Sequence, residues 1–562
     1  MSTNADRLAN AAVPLDVLLV DAALGPMRRF VPDVSTAKWA ISLARQPRMT
    51  ASRLAGLGAE AGRIAVGSSE ITPRRGDRRF TDPGWQENPL LKRVSQLYLA
   101  AGRTAEQLVT DAALPGRDGK RVRFFVENVT EALSPSNLPL VNPASAKAVI
   151  ETGGLSLVRG GRQLAKDLAS SPRVPEMVDT TGFRVGENIA ASEGAVVFRS
   201  EVLELIQYTP QGDEVYEVPM LVVPPTINKF YAVDLAPGRS LVEHGMQQGR
   251  QMFLISWRNP DARHAHWNFD TYVRAILDAL DAVEEITGTE KTTLGGICSG
   301  GILASITAAY LAGIGREDRL AALALAVTVI DNHDAGTVSA LSDPRLAALA
   351  KKRSAKKGYL DGRTLAEVFA WLRPGDLIWN YWVNNYLLGK RPPAFDILFW
   401  NADTTRMPAG LHADFVDMAA GNLLTEAGGV TVLGVPIDLG KVTVDSYIVA
   451  GIADHITPWE NCYRTTQLLG GTSRFVLSTS GHIAALVNPP GNPKATYHVN
   501  DEVTPDPKAW LKGAETRQGT WWVDLSAWLA ERGGARVPTP KELGSTRLPA
   551  LAPAPGTYVF DK

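Results

Sequence analysis

Residues 295–301 of the chain read Gly-Gly-Ile-Cys-Ser-Gly-Gly, and this stretch decides the fold. The residues before it have the character of a short strand, and residues 301–310 have that of a helix. The pattern G-x-C-x-G between a strand and a helix is typical of a nucleophile elbow, a tight turn that lifts one reactive side chain to its tip. Gly296 and Gly300 leave room for such a turn because they lack a Cβ atom. The pattern predicts that Cys298 is a nucleophile; the structural alternative is a buried packing cysteine.

A cysteine at this position has a chemical consequence that a serine would not have. A thiolate that attacks a thioester forms another thioester, so the acyl group keeps its activation, whereas a serine would form a less activated oxygen ester. Cys298 therefore predicts acyl transfer from a thioester donor to an acceptor other than water. The same turn is expected to aim the backbone N–H of Ser299 and the N-terminus of the following helix at a developing oxyanion.

The composition is that of a globular protein larger than one hydrophobic core usually fills. The chain has 562 residues, of which 45% are hydrophobic and 21% charged, and its formal net charge is -1. This balance gives no electrostatic argument for binding nucleic acid or an anionic membrane. The two cysteines, Cys298 and Cys462, fit a reducing compartment and provide no disulfide framework. No signal-peptide core or transmembrane run is recognisable, so we expect a cytoplasmic protein.

The residue pattern changes near residue 180. Residues 1–180 are predicted to form a mainly helical N-terminal region, because alanine, leucine and arginine recur there at helical spacing. Residues 181–562 alternate between strand and helix patterns, which predicts an α/β catalytic domain. One amphipathic helix is expected at 270–286. Strands are predicted at 195–206, 218–223, 251–257, 292–297, 321–330, 446–452 and 474–478.

A long insertion, roughly residues 332–440, interrupts the sheet pattern. An insertion at this point is expected to form a cap over the elbow and to keep water out. The alternative is that its aromatic side chains pack the insertion onto the sheet. The insertion is dense in aromatic residues: Trp371, Trp379, Tyr381, Trp382, Tyr386, Phe395, Phe399 and Trp400.

A cysteine nucleophile needs a base, and the base needs a carboxylate that orients it. Chains with this elbow place the acid and then the histidine after the nucleophile. Asp454 directly follows the predicted strand 446–452, and His482 follows the strand 474–478. We therefore predict that Asp454 holds His482 and that His482 activates Cys298. His455 is the competing base and is expected to point toward the substrate.

Other residues are candidates for supporting roles. The loop after the strand 218–223 is predicted to supply a second oxyanion donor from the backbone of Thr226 or Ile227, with Asn228 close to the substrate. A rigid connector is the alternative for this loop. Arg373 is expected to line a polar entry beside the aromatic residues of the insertion. We expect no metal site, because the histidine pair at 264 and 266 lacks further ligands nearby.

Several segments together resemble the polyhydroxyalkanoate synthases. The similarity runs from about Asp77 to Val559, and the strings at 380–385, 395–401 and 489–494 look most like the single-subunit synthases that prefer medium-chain monomers. The segments that carry the resemblance are 223–231 (Val-Pro-Pro-Thr-Ile-Asn-Lys-Phe-Tyr), 296–301 (Gly-Ile-Cys-Ser-Gly-Gly), 376–386 (Asp-Leu-Ile-Trp-Asn-Tyr-Trp-Val-Asn-Asn-Tyr), 395–401 (Phe-Asp-Ile-Leu-Phe-Trp-Asn), 454–459 (Asp-His-Ile-Thr-Pro-Trp) and 480–483 (Ser-Gly-His-Ile).

The resemblance implies a fold and an activity. It implies an α/β-hydrolase fold and the polymerisation of (R)-3-hydroxyacyl-coenzyme A to a polyester with release of coenzyme A, without a further cofactor. The family's catalytic residues fall on Cys298, Asp454 and His482, and in family schemes either His482 or Asp454 activates the 3-hydroxyl. It also implies a homodimer at the surface of cytoplasmic polymer granules. Two alternatives remain, a thioesterase or polyester depolymerase of the same fold and a non-catalytic granule-coat protein; the cysteine nucleophile speaks against the first, and the complete triad against the second.

Overall fold

The computed structural model describes residues 15–25, 32–74, 76–169, 172–332, 344–454 and 456–562. These residues form two compact units. The first unit contains the described residues up to Leu24, together with Thr180–Leu365 and Phe395–Lys562. The second contains the described residues from Gly25 to Asp179 and the segment Ala366–Ala394.

The first unit is built on one mixed sheet of eleven strands. Its spatial order is β10-β9-β8-β7-β6-β5-β3-β4-β2-β1-β11, and the six strands from β8 to β4 are mutually parallel. The strands are β1 (Gly194–Arg199), β2 (Leu203–Tyr208), β3 (Met220–Val223), β4 (Met252–Trp257), β5 (Thr292–Ile297), β6 (Leu320–Ala326), β7 (Ser446–Gly451), β8 (Ser473–Ser478), β9 (Thr496–Val499), β10 (Glu515–Gln518) and β11 (Ala552–Pro553).

Parallel pairing places the carboxyl ends of β5, β7 and β8 at one edge of the sheet. Every residue of β3, β4, β5 and β7 is buried, which is the pattern of strands covered on both faces. Short pairs of strands outside this sheet join Glu214–Tyr216 to Arg536–Pro538, Tyr359–Leu360 to Met407–Pro408, and Thr431–Val432 to Val435–Pro436.

The helices follow from apolar periodicity and local capping. α10 starts at a capping box on Asn268 and ends at Gly288, whose φ of 70° is favourable only for glycine. The helices are α1 (Leu15–Leu24), α2 (Val34–Arg45), α3 (Pro47–Val66), α4 (Gly84–Glu87), α5 (Pro89–Asp111), α6 (Gly116–Ala132), α7 (Pro143–Glu151), α8 (Leu155–Ala169), α9 (Leu241–Gln247), α10 (Phe269–Thr287), α11 (Ser299–Gly313), α12 (Pro344–Lys357), α13 (Gly362–Leu372), α14 (Asp396–Ala402), α15 (Ala409–Gly421), α16 (Trp459–Arg464), α17 (His482–Leu486), α18 (Pro507–Gly513) and α19 (Trp521–Ala530).

The second unit is helical and includes part of the predicted insertion. Two π-helical turns, Gly375–Trp379 and Trp382–Leu387, lie in its segment 366–394. The Tyr386 hydroxyl donates to Asp167 on α8 at 2.7 Å. At the same contact the backbone of α8 lies against the backbone of Tyr386. A Cβ on Gly160 would lie 1.9 Å from the Tyr386 carbonyl oxygen. This segment is therefore integral to the helical unit.

Most predicted elements are confirmed, with three differences. The strand predicted at 195–206 is two antiparallel strands, β1 and β2, joined by a turn around Ser200. In the region predicted to be helical, α2 ends at Arg45 and Pro47 begins a new helix, α3. The edge strands β9, β10 and β11 were not predicted, because they are short and β10 is fully exposed.

The predicted insertion contributes to both units. Its segment 366–394 belongs to the second unit, whereas its other described parts belong to the first. The boundary at residue 180 and the role of the insertion as a cap stay predictions. Among the described residues, no helix is both long and apolar enough to span a membrane.

The contact between α8 and Tyr386 predicts different effects for two adjacent glycines. Gly160→Ala should lower the free energy of unfolding by about 1–3 kcal/mol, because its Cβ would collide with backbone. Gly161→Ala meets nothing within 4 Å and should be neutral or stabilising by up to about 1 kcal/mol. Denaturant unfolding of both variants measures this difference; equal effects would contradict the described packing.

Candidate active site

Cys298 occupies a strained turn between β5 and α11. Its φ of 51° and ψ of −121° lie outside the regions that non-glycine residues usually adopt. The turn is held at both ends, because its N–H donates to the Ala326 carbonyl at 3.0 Å and its carbonyl accepts from Gly301 N–H at 3.0 Å. Such strain costs about 1–3 kcal/mol and persists where the surroundings enforce it, commonly at functional sites.

Two glycines make the turn possible through close packing. A Cβ on Gly296 would lie 2.6 Å from the Cα of Gly301. A Cβ on Gly300 would lie 2.3 Å from the Pro224 carbonyl oxygen. The glycines of the motif therefore allow the helix and the 224–228 loop to approach the nucleophile, as the sequence predicted.

The structure brings His482 and Asp454 to Cys298. His482 begins α17, just after β8, and its Nδ1 lies 2.7 Å from Asp454 Oδ2. The Asp454 side chain is fully buried, and that of His482 is 12% exposed. Cys298 lies close enough to His482 for its sulfur to act on the charge of the imidazole ring. The structure therefore brings the three residues predicted as a triad together, with Asp454 and His482 joined by a hydrogen bond.

Asp454 is held by a residue that sequence reasoning missed. Its Oδ1 accepts from the N–H groups of Ile456 at 2.8 Å and Thr457 at 2.9 Å. The Thr457 hydroxyl donates to Oδ2 and lies 3.1 Å from His482 Nδ1. The signal in the sequence was the spacing of Asp454 and Thr457, which is typical of an aspartate that accepts from backbone N–H groups two and three residues later.

The surroundings of His482 and Asp454 favour the charged form of each residue. Burial alone would lower the pKa of His482, but the Asp454 carboxylate and the Cys298 sulfur outweigh burial and raise this pKa to about 10. Burial would raise the pKa of Asp454, but His482 and Thr457 outweigh it and lower that pKa. At neutral pH His482 is therefore a cation.

The predicted oxyanion loop is tied to the elbow through Ser299. The Thr226 N–H donates to the Ser299 hydroxyl at 3.0 Å, an interaction that the sequence did not indicate. Thr405 also binds this loop through two hydrogen bonds. Its hydroxyl donates to the Thr226 carbonyl at 2.9 Å, and its N–H donates to the Ile227 carbonyl at 3.0 Å. The Ser299 N–H lies in the first turn of α11, where N–H groups lack intrahelical acceptors. The oxyanion roles of Ser299, Thr226 and Ile227 stay predictions.

The residues predicted to lie near the substrate are not among the contacts described above. Asn228 forms an isolated backbone bridge with Thr404. Arg373 lies in the second unit, where it pairs with Asp376. His455 lies outside the described residues. Within the described ranges, no group of three or more His, Cys, Asp or Glu side chains is arranged to hold a metal ion.

The second cysteine is a packing residue in this structure. Cys462 on α16 is fully buried, and its thiol donates to the Thr457 carbonyl at 3.9 Å. Burial raises the pKa of this thiol well above its ordinary value. Cys462 is therefore an unreactive thiol and a suitable internal reference for Cys298.

Comparisons with known proteins bear on the fold and the family of the chain. A family model described as the N-terminus of poly-beta-hydroxybutyrate polymerase matches residues 76–245, and one for the alpha/beta hydrolase fold matches residues 228–489. The chain is 45% identical over 518 residues to poly(3-hydroxyalkanoate) polymerase 2 of Ectopseudomonas oleovorans, covering 92% of each chain. It is 39% identical over 506 residues to the poly(3-hydroxyalkanoate) polymerase subunit PhaC of Cupriavidus necator, covering 89% of this chain and 85% of that protein. The α/β-hydrolase fold is thus confirmed.

The raised pKa of His482 can be tested by histidine-selective NMR. His482 should stay protonated through pH 8 in the unmodified chain, because its pKa is about 10. Asp454→Asn should lower that pKa by about 1–3 units, since the buried carboxylate is its main partner. The matched control Asp445→Asn removes a carboxylate that pairs with Arg532, and it should leave the pKa of His482 unchanged. A His482 that titrates near 6.5 in the unmodified chain would contradict the described pair.

Proposed function

The chain belongs to the poly(3-hydroxyalkanoate) polymerases, which are acyltransferases, and from this we propose that it polymerises (R)-3-hydroxyacyl-coenzyme A through a thioester on Cys298. The observation that carries the proposal is the strained Cys298 elbow close to His482, whose Nδ1 lies 2.7 Å from Asp454 Oδ2. A thiolate beside an imidazolium is the reactive form of a cysteine nucleophile.

Acylation of Cys298 is the first step. The thiolate attacks the carbonyl carbon of the acyl-coenzyme A and forms a carbon–sulfur bond, while the carbonyl electrons move to oxygen. The Ser299 N–H and the N-terminus of α11 stabilise this oxyanion. The Ile227 N–H is the second donor, because the Thr226 N–H is bound to the Ser299 hydroxyl. The oxyanion collapses, coenzyme A leaves as a thiolate, and it takes the proton of His482. The products are an acylated Cys298, a neutral His482 and free coenzyme A.

Ester formation is the second step and returns the site to its starting state. The neutral His482 accepts the proton of the 3-hydroxyl of an incoming acyl-coenzyme A, and that oxygen attacks the thioester on Cys298. The Cys298 thiolate leaves, and the imidazolium forms again beside it. Repeated transfer onto Cys298 then lengthens the polyester by one monomer for each coenzyme A released.

We assign the proton transfers to His482 and an orienting role to Asp454. The Asp454 carboxylate already accepts two backbone N–H groups, the Thr457 hydroxyl and His482 Nδ1. These donors lower its pKa, which makes it a weak base. A carboxylate held in this way fixes the ring of His482 and stabilises its cation.

The monomer class and the setting of the reaction follow from the family. We propose medium-chain (R)-3-hydroxyacyl-coenzyme A as the preferred substrate, supported by the strings at 380–385 and 395–401 and by the identity to the Ectopseudomonas oleovorans enzymes. We further propose that the enzyme needs no cofactor beyond its substrate, and that it acts as a homodimer at the surface of cytoplasmic polymer granules.

Replacement of the two cysteines tests the proposal. Cys298→Ala should reduce coenzyme A release from (R)-3-hydroxyacyl-coenzyme A at least about a thousandfold, because the nucleophile is lost. Cys462→Ala, the matched control, should retain most activity. Coenzyme A is measured by thiol titration, the product is sized by chromatography, and folding is checked by thermal unfolding. Substantial turnover by a folded Cys298→Ala protein, or free hydroxy acid as the main product of the unmodified chain, would overturn the proposal.

A further inference from the structure

A cavity of about 50 Å³ lies in the first unit, between the sheet and helices α9 and α19. It borders β5, the strand that ends just before Cys298. Apart from Gly296 of the elbow, its lining residues take no part in the proposed mechanism. Most of its wall is apolar. The apolar side chains include Met220, Val242, Met252, Leu525 and Leu529.

One charged residue, Arg250, lines this apolar cavity. It is only 3% exposed, and its Nε and Nη2 atoms have no hydrogen-bond partner among the described residues. The charged or ionisable groups that act on it are Tyr216 and Arg536, and neither is a carboxylate. The guanidinium carbon lies 4.0 Å from the centre of the Tyr216 ring, and that of Arg536 lies 3.7 Å from the same ring centre. Two cations therefore contact the same ring, and no carboxylate in the described part of the chain acts on Arg250 as a counter-ion.

A buried guanidinium without a carboxylate partner indicates that an anion binds beside it. Burying a charge without a partner is strongly unfavourable, and contact with an aromatic face offsets only part of that cost. Buried polar atoms without partners are rare in folded proteins, and they point to an ion or water that completes the site. Burial lowers the pKa of Arg250 only to about 10, so the group is still a cation at neutral pH.

The two unpartnered atoms also define the shape of the missing group. Nε and Nη2 form one edge of the guanidinium, and two parallel N–H bonds from such an edge match the two oxygens of a carboxylate. The apolar wall suits an alkyl chain attached to that carboxylate. A volume of about 50 Å³ is several times the roughly 10–15 Å³ that a single water requires, so the cavity has room for a short chain and not for a long one.

We propose that this cavity binds a short aliphatic monocarboxylate of about four carbons, with its carboxylate on Nε and Nη2 of Arg250 and its alkyl chain among the apolar residues. The ligand is either a simple acid or a free 3-hydroxy acid related to the monomers. His244 and Ser526 line the same cavity, and His244 Nε2 lies 3.1 Å from Ser526 Oγ. These side chains would be the hydrogen-bond partners of a 3-hydroxyl. Nothing in the proposed polymerisation requires this site.

Calorimetric titration of the full chain with butyrate tests the proposal. We expect saturable binding of one butyrate per chain and a rise in the unfolding temperature. Butanamide, which has nearly the same shape without the charge, should bind at least tenfold more weakly. Titration with (R)-3-hydroxybutyrate distinguishes the two sources: tighter binding than butyrate identifies the hydroxy acid, and weaker binding identifies the simple acid.

Two variants locate the bound acid. Arg250→Met removes the cation, and Leu525→Phe reduces the cavity while keeping the guanidinium; each should weaken butyrate binding at least tenfold. Arg547→Met removes an exposed arginine and should leave the affinity for butyrate unchanged. If one cavity variant does not fold, the other still provides the test. Absence of saturable binding, equal binding of butanamide, or unchanged affinity in the folded cavity variants would overturn the proposal. Polymerisation is measured separately, so failure of this site leaves the proposed reaction unaffected.

Discussion

The buried pair of His482 and Asp454 is the interaction on which the site depends. A fully buried carboxylate is tolerable only when donors surround it, and Asp454 receives two backbone N–H groups, one hydroxyl and one imidazole. The sheet makes this possible, because β7 and β8 are adjacent and parallel, with Gly451 opposite Ser478. Asp454 and His482 follow those two residues by three and four positions, so their loops meet at the same edge.

Backbone strain at Cys298 is the second constraint, and close packing sustains it. The turn cannot relax, since Gly300 lies against the carbonyl of Pro224 and Gly301 against Thr328. The same contact joins the nucleophile to the loop whose Thr226 N–H is bound by the Ser299 hydroxyl. Nucleophile, helix terminus and loop therefore form one rigid arrangement, which is what a reaction with a developing oxyanion requires.

The sequence predicted the parts of this site that rest on local pattern. The elbow motif located Cys298, and the order of strand ends located Asp454 and His482. The Thr457 hydroxyl and the Ser299–Thr226 contact were missed, because they depend on which loops meet in three dimensions. The strand pattern at 195–206 could not show the turn around Ser200, and the exposed edge strand Glu515–Gln518 has no apolar face to reveal it. Arg250 is an ordinary arginine in the sequence and becomes unusual only when its burial is known.

The central claim is that the growing chain is attached to Cys298, and mass spectrometry of the acylated enzyme tests it most directly. The full chain is mixed with one equivalent of (R)-3-hydroxyacyl-coenzyme A, quenched in acid within milliseconds, digested and mapped. The account predicts an acyl thioester on the peptide that contains Cys298, absent from Cys298→Ala, with Cys462 unmodified. An acyl group on Cys462 or on a serine, or coenzyme A release with no covalent adduct at any time, would contradict it.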